Sequence, residues 1–169
     1  FRLPVSSAPG QPKPVVAISL PNGPTLALTV LAVASFYTAA PVAHGSGVGA
    51  EQFKSDVLQS QTNLVLAAPA DVDRLGLREP WLAEASIEVL LVELSSEMKL
   101  QVRDVTGNLR HDSHFWPQPT PNAADDIGIM LFTSGTSGTK KLVPLFTHSL
   151  ICGAAMVIDS WGLNPSMRC

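Results

Sequence analysis

The sequence predicts an α/β fold with short strands alternating with helices. Two observations predict it. Apolar runs rich in Val, Ile and Leu recur at Val15–Leu20, Leu64–Ala67, Ile87–Val92 and Ile127–Phe132, with helix-like segments between them. Only 15% of residues are charged while 46% are hydrophobic, as suits strands buried on both faces of a parallel sheet. At 169 residues the chain fits one domain and can bury a real core.

Val15–Leu20 is bounded by Pro14 and Pro21 and reads as a buried strand. Asn22-Gly23-Pro24 is a turn with Pro24 placed to start a helix running to about Tyr37. Ala40-Pro41-Val42 reads as a second short strand. No Asp, Glu, Lys or Arg stands between Lys13 and Glu51, and Leu26 to Ala43 is apolar enough to pass a simple membrane-span rule. Strand, buried helix and strand account for the missing charge equally well, so a membrane-associated chain is the alternative reading.

Gly45 to Gly49 reads as a flexible turn, Ala50 to Gln61 as an amphipathic helix, and Leu64–Ala67 as a strand. Asp71 suits the N-cap of a helix through Leu75. Trp81 to Ala85 is ambiguous, Ile87–Val92 is a strand, and Leu100 to Val105 is a further strand candidate before the turn Thr106-Gly107-Asn108. Prolines 117, 119 and 121 make residues 110–126 a surface loop or linker. Ile127–Phe132 is a clear apolar strand. Residues 1–13 form a Pro-rich lead-in, 14–109 the α/β units, 110–126 the Pro-rich loop, and 127–169 a strand, loop, strand and helix.

Composition narrows the function. Eleven Lys and Arg against 14 Asp and Glu give a net charge of −3, so no basic footprint for nucleic acid exists. Two cysteines cannot form a disulfide scaffold, which points to a reducing, cytoplasmic setting. The ends, Phe1 and Cys169, look cut, so a fragment is expected.

The chemistry follows the last strand. Seven of the nine residues from Thr133 to Lys141 are Ser, Thr or Gly, and the other two are lysines. Glycines let a backbone approach a bound group, hydroxyls add donors, and ammonium groups add charge, which suits a polyphosphate. The P-loop of NTPases is excluded, because Gly135 and Gly138 are only three apart.

The run Phe132-Thr-Ser-Gly-Thr-Ser-Gly-Thr-Lys-Lys-Leu-Val-Pro-Leu-Phe-Thr-His148 resembles the signature of the AMP-forming acyl-activating enzymes: acyl-CoA synthetases, adenylation domains and luciferases. The upstream strand, helix and strand, from Val16 to Val42, also look like the family's early units. The resemblance spans about Pro14 to Gly162 and implies part of the N-terminal domain of the ligase fold, left incomplete. It implies ATP, Mg²⁺ and a carboxylic acid substrate, with CoA or a carrier protein's phosphopantetheine as acceptor. By the same resemblance Thr133, Ser134, Thr136 and Ser137 would give hydroxyl contacts to ATP phosphates. Gly135 and Gly138 would allow close backbone approach, Lys141 is the motif lysine, and Lys140 adds attraction.

The family's proline is Lys140 here, its next glycine is Leu142, and one extra residue precedes Thr147-His148, a form similar to a divergent subgroup associated with fungi. The adenine pocket, the ribose-binding Asp and the catalytic Lys would lie downstream, so catalytic residues are unassigned. The chain alone is expected to be inactive and poorly soluble, lacking the remainder of its domain. A truncated non-enzymatic product is the other alternative, and a peroxisomal address stays open, since a C-terminal signal would lie beyond residue 169.

Other candidates read as structural. No metal site is expected: His111 and His114 lack a third ligand at a recognisable spacing and suit a solvated loop. Thr147 suits an N-cap, His148 a structural place beside it, and Cys152 the core. Glu84, Glu88, Glu93 and Glu97 read as solvated faces, and Trp81, Trp116 and Trp161 form no stacking platform.

Overall fold

The computed structural model describes residues 2–8, 10–97, 99–110, 116–133 and 140–167. Among these the chain forms β1 (Val15–Ser19), α1 (Pro24–Ala34), β2 (Thr38–Pro41), α2 (Ala50–Gln59), β3 (Leu64–Ala67), α3 (Pro80–Glu84), β4 (Glu88–Leu94), β5 (Leu100–Arg103), β6 (Ile127–Thr133), β7 (Lys141–Phe146) and α4 (Thr147–Trp161). The strands make one sheet in the order β5-β4-β3-β1-β2-β6-β7.

The five central strands are parallel, as the apolar runs predict. The two edge strands, β5 and β7, are antiparallel to their neighbours. Each follows its partner strand through a short connection, and a parallel return needs a crossover of about a dozen residues or more. Pro144 is tolerated in β7 because that strand has a free edge.

Period-two alternation splits the core into two layers. Val16, Ile18, Leu64, Leu66, Leu90 and Val92 face one side and pack on Val33 of α1. Ala17, Val65, Ala67 and Leu91 face the other and pack on Phe53 and Val57 of α2 and Trp81 and Leu82 of α3. The lead-in is fastened too: Leu3 is fully buried, and its N–H donates to the Tyr37 hydroxyl at 3.1 Å.

Local details differ from the sequence reading at three points. Asp71 ends a short 3-10 turn (Pro69–Asp71) and caps no helix, because its carboxylate is taken by His44 and Arg74. Thr147 opens α4, but its N–H and Oγ1 both donate to the Asp126 carbonyl, at 2.9 and 3.1 Å, instead of capping the helix. Cys152 is exposed, not core, because α4 packs chiefly against β6 and β7 and none of its residues is buried.

The described part of the Pro-rich loop is pinned to the sheet. Asn122 donates from Nδ2 to the carbonyls of Ala34 and Tyr37, at 3.0 and 2.9 Å. Lys13 donates to Thr120 Oγ1 at 2.8 Å, and Thr38 Oγ1 to the Ile127 carbonyl at 2.8 Å. These contacts bring β6 alongside β2. Glu88 and Glu93 are half-solvated and paired with Arg110 and Arg103, and Glu97 is exposed and paired with Lys99. Among the described residues no helix is long and apolar enough to cross a membrane.

Candidate functional site

β6 carries the chain to the carboxyl edge of the parallel strands, the edge where open α/β sheets bind ligands. Its side chains alternate in contact: Ile129 packs toward the α1 layer and Phe132 toward the α2 layer. β7 returns antiparallel, with Thr133 opposite Lys141 and Phe132 opposite Leu142. The Thr133–Lys141 pair thus closes the stem of the Ser/Thr/Gly loop. Ser134, Gly135, Thr136, Ser137 and Gly138 lie outside the described residues.

Gly128 shows why β6 can sit under α4. A Cβ there would stand 2.9 Å from Leu150 Cδ1 and 3.2 Å from Thr147 Oγ1, so the position needs glycine for close approach. The strand register shifts at the same place, between Ile127 and Ile129.

The two lysines at the loop exit are placed differently. Lys140 Nζ lies 2.8 and 2.7 Å from the two carboxylate oxygens of Asp56 on α2. The Asp56 side chain is 1% exposed and that of Lys140 is 29% exposed. Gln52 Nε2 donates to Asp56 Oδ1 at 2.8 Å, and Gln59 Nε2 donates to the Lys140 carbonyl at 2.8 Å. The Lys140 ammonium also stands 5.6 Å from the centre of the Phe132 ring. Lys141 is exposed, and its ammonium has no ionic or hydrogen-bond partner among the described residues.

A second loop leaves the same edge, between β2 and α2. Arg74 Nη1 donates to the carbonyls of Gly45, at 2.9 Å, and Val48, so the glycine-rich turn is held. Arg74 is in turn fixed by Asp71 Oδ1, at 2.7 Å from Nη2 and 3.0 Å from Nε. His44 Nε2 lies 2.8 Å from Asp71 Oδ2. Burial alone would raise the Asp71 carboxyl, but hydrogen bonds and charge from His44 and Arg74 outweigh it and hold it below its usual range.

His148 stands in a structural place: its backbone N–H donates to the Ala124 carbonyl at 3.0 Å, Nδ1 lies at the same distance, and its ring stacks on Phe146. His111 and His114 lie outside the described residues. No group of three or more His, Cys, Asp or Glu stands together among the described residues. Asp56, beside the loop, is already ligated by Lys140 and Gln52.

Sequence reasoning missed Asp56, Gln59 and Arg74. Asp56 had a signal: it shares the helical face of Phe53 and Val57, and a carboxylate on an apolar face needs a partner. The partner lies 84 residues away, and no local pattern names it.

The sheet and its two helical layers define an open α/β domain with its strand–loop–strand hairpin at one edge. The chain belongs to the AMP-binding enzyme family, whose model matches residues 8–168. It is 28% identical over 158 residues to the nonribosomal peptide synthetase fso1 of Omphalotus olearius, covering 93% of this chain and 3% of that protein. Its fold matches ATP-bound MatB from Rhodopseudomonas palustris with a TM-score of 0.66 at 17% identity, over 92% of this chain and 29% of that one. An acyl-CoA synthetase from Brucella canis gives a TM-score of 0.62 at 22% identity, over 92% and 27% of the two chains. The chain thus spans under a third of these solved structures.

Proposed function

We propose that this chain is the phosphate-holding part of the AMP-binding domain of an ATP-dependent carboxylate-activating ligase. In that reaction a carboxylate oxygen attacks the α-phosphorus of ATP. The bond from that phosphorus to the bridging oxygen breaks, pyrophosphate leaves, and an acyl-adenylate remains. The thiol of CoA, or of a carrier protein's phosphopantetheine, then displaces AMP to give a thioester.

The chain's own residues act on the leaving group. The hydroxyls of Thr133, Ser134, Thr136 and Ser137 donate to the β- and γ-phosphate oxygens. Gly135 and Gly138 let backbone N–H groups approach, and Lys141 supplies a cation. Donors aimed at charge that grows as pyrophosphate departs stabilise the transition state more than bound ATP.

One observation carries this reading: Thr133 and Lys141 close the loop stem at the carboxyl edge of β6, with the Lys141 ammonium unpaired among the described residues. A fatty acyl-adenylate ligase from Legionella pneumophila, solved with acyl adenylate and pyrophosphate, shares the fold at a TM-score of 0.61 and supports the reading. The chain covers only 25% of that structure, so the isolated chain is expected to bind without turning over.

The test pairs two assays on the isolated chain: protection of residues 133–141 from amide exchange by ATP, and carboxylate-dependent ATP–pyrophosphate exchange. Protection without exchange activity is expected. Exchange activity would overturn the inactive-part reading, and absence of any protection would overturn the loop assignment.

A further inference from the structure

The exit of the loop is tied to a helix distant in sequence. α2 holds the side chain of Lys140 through Asp56 and its main chain through Gln59, at the residue where the loop rejoins the sheet. The next residue, Lys141, pairs with Thr133 and closes the stem. Both carboxylate oxygens of Asp56 are engaged by Lys140, and that carboxylate is shut off from solvent. If Lys140 swung away to a ligand, it would strand a buried negative charge.

We propose that Asp56 and Lys140 form a clamp that positions the phosphate-holding loop, with Lys140 acting through Asp56 and not by touching a phosphate. Both are positioning residues. The clamp keeps the loop exit in one geometry, so less conformational freedom is lost when an anion is gripped. The adjacent lysines thus divide the work: Lys140 holds the loop, and Lys141 meets the ligand. The proposal rests on the phosphate reading given above.

The test titrates inorganic pyrophosphate into the chain and into D56N, D56N/K140M and K141M, and measures amide exchange at residues 140–143 without ligand. The clamp predicts that D56N weakens pyrophosphate binding by roughly three- to tenfold. It predicts that D56N/K140M binds like D56N, because Lys140 has no separate contact to lose. Salt dependence is expected to stay unchanged in both variants and to flatten in K141M, which loses a ligand-facing charge. D56N should also speed ligand-free amide exchange at residues 140–143.

Binding in D56N equal to or tighter than the parent, with a further loss in D56N/K140M, would mean that Lys140 touches the anion, and would overturn the clamp. Unchanged ligand-free exchange in D56N would overturn it as well. If the parent chain binds no pyrophosphate, the phosphate reading fails, and the exchange measurement alone decides whether the clamp exists.

Discussion

Replacing Lys140 by Met is expected to cost the fold much more than replacing Asp56 by Asn. The asymmetry comes from burial: the Asp56 side chain is 1% exposed, that of Lys140 29%. In Lys140→Met the carboxylate keeps a single side-chain donor, Gln52 Nε2. Removing one partner of a buried pair costs about 3–5 kcal/mol, because the other charge is left uncompensated. In Asp56→Asn the ammonium can turn toward water, so the loss is that of a partly screened contact, roughly 1 kcal/mol. For a chain of this size about 2–4 °C of melting temperature accompanies each kcal/mol. The losses become roughly 6–20 °C for Lys140→Met and about 2–4 °C for Asp56→Asn. The pair Asp56→Asn, Lys140→Met should recover much of the Lys140→Met deficit, since no charge is stranded. Thermal unfolding followed by circular dichroism, at one pH and salt concentration, reads all three. Equal losses in the two single variants would refute the reasoning, and so would a double variant no better than Lys140→Met.

Three further predictions follow from other parts of the fold. Asp71 is held below its usual value of 3.8 by His44 and Arg74, against burial. A lowered folded-state value gives stability that is present above the unfolded value and lost as pH falls through the folded one, so the deficit of Asp71→Asn should shrink between about pH 7 and about pH 3. Urea unfolding at both pH values checks this, and a constant deficit contradicts it. Gly128→Val should cost about 1–3 kcal/mol in the same assay, because its side chain would enter the space of Leu150 and Thr147, while Gly128→Ala costs less if Leu150 rotates. Cys152 in a Cys169→Ser chain should react with a thiol reagent in the folded state at nearly the rate of the unfolded chain, and strong protection would show that α4 is covered.

Much of the sheet was legible because its signal is local. Leu64–Ala67 is a compact apolar run between the polar Thr62-Asn63 and the strand-ending Pro69, and it forms β3 with those bounds. Pro24 and the absence of charge made α1 readable, although the helix ends at Ala34, before Tyr37. What was not legible depends on distant partners. Asp71 has the right type for a cap, but His44, 27 residues earlier, and Arg74 claim its carboxylate. α4 has the apolar pattern of a core helix, and periodicity cannot say whether a partner covers it. It exposes Ile151, Met156, Val157, Ile158 and Trp161. At the candidate site the loop was visible in composition, whereas the tie from Lys140 to Asp56 depends on packing α2 beside the β6–β7 hairpin.

The most direct test of the central claim, that the Thr133–Lys141 hairpin holds a polyphosphate, is calorimetric titration of pyrophosphate into the chain and into Lys141→Met. Saturable binding that weakens about tenfold or more on loss of the charge-assisted contact, and falls as salt rises, is the predicted result. Identical binding in the two chains, or none in the parent, would contradict it.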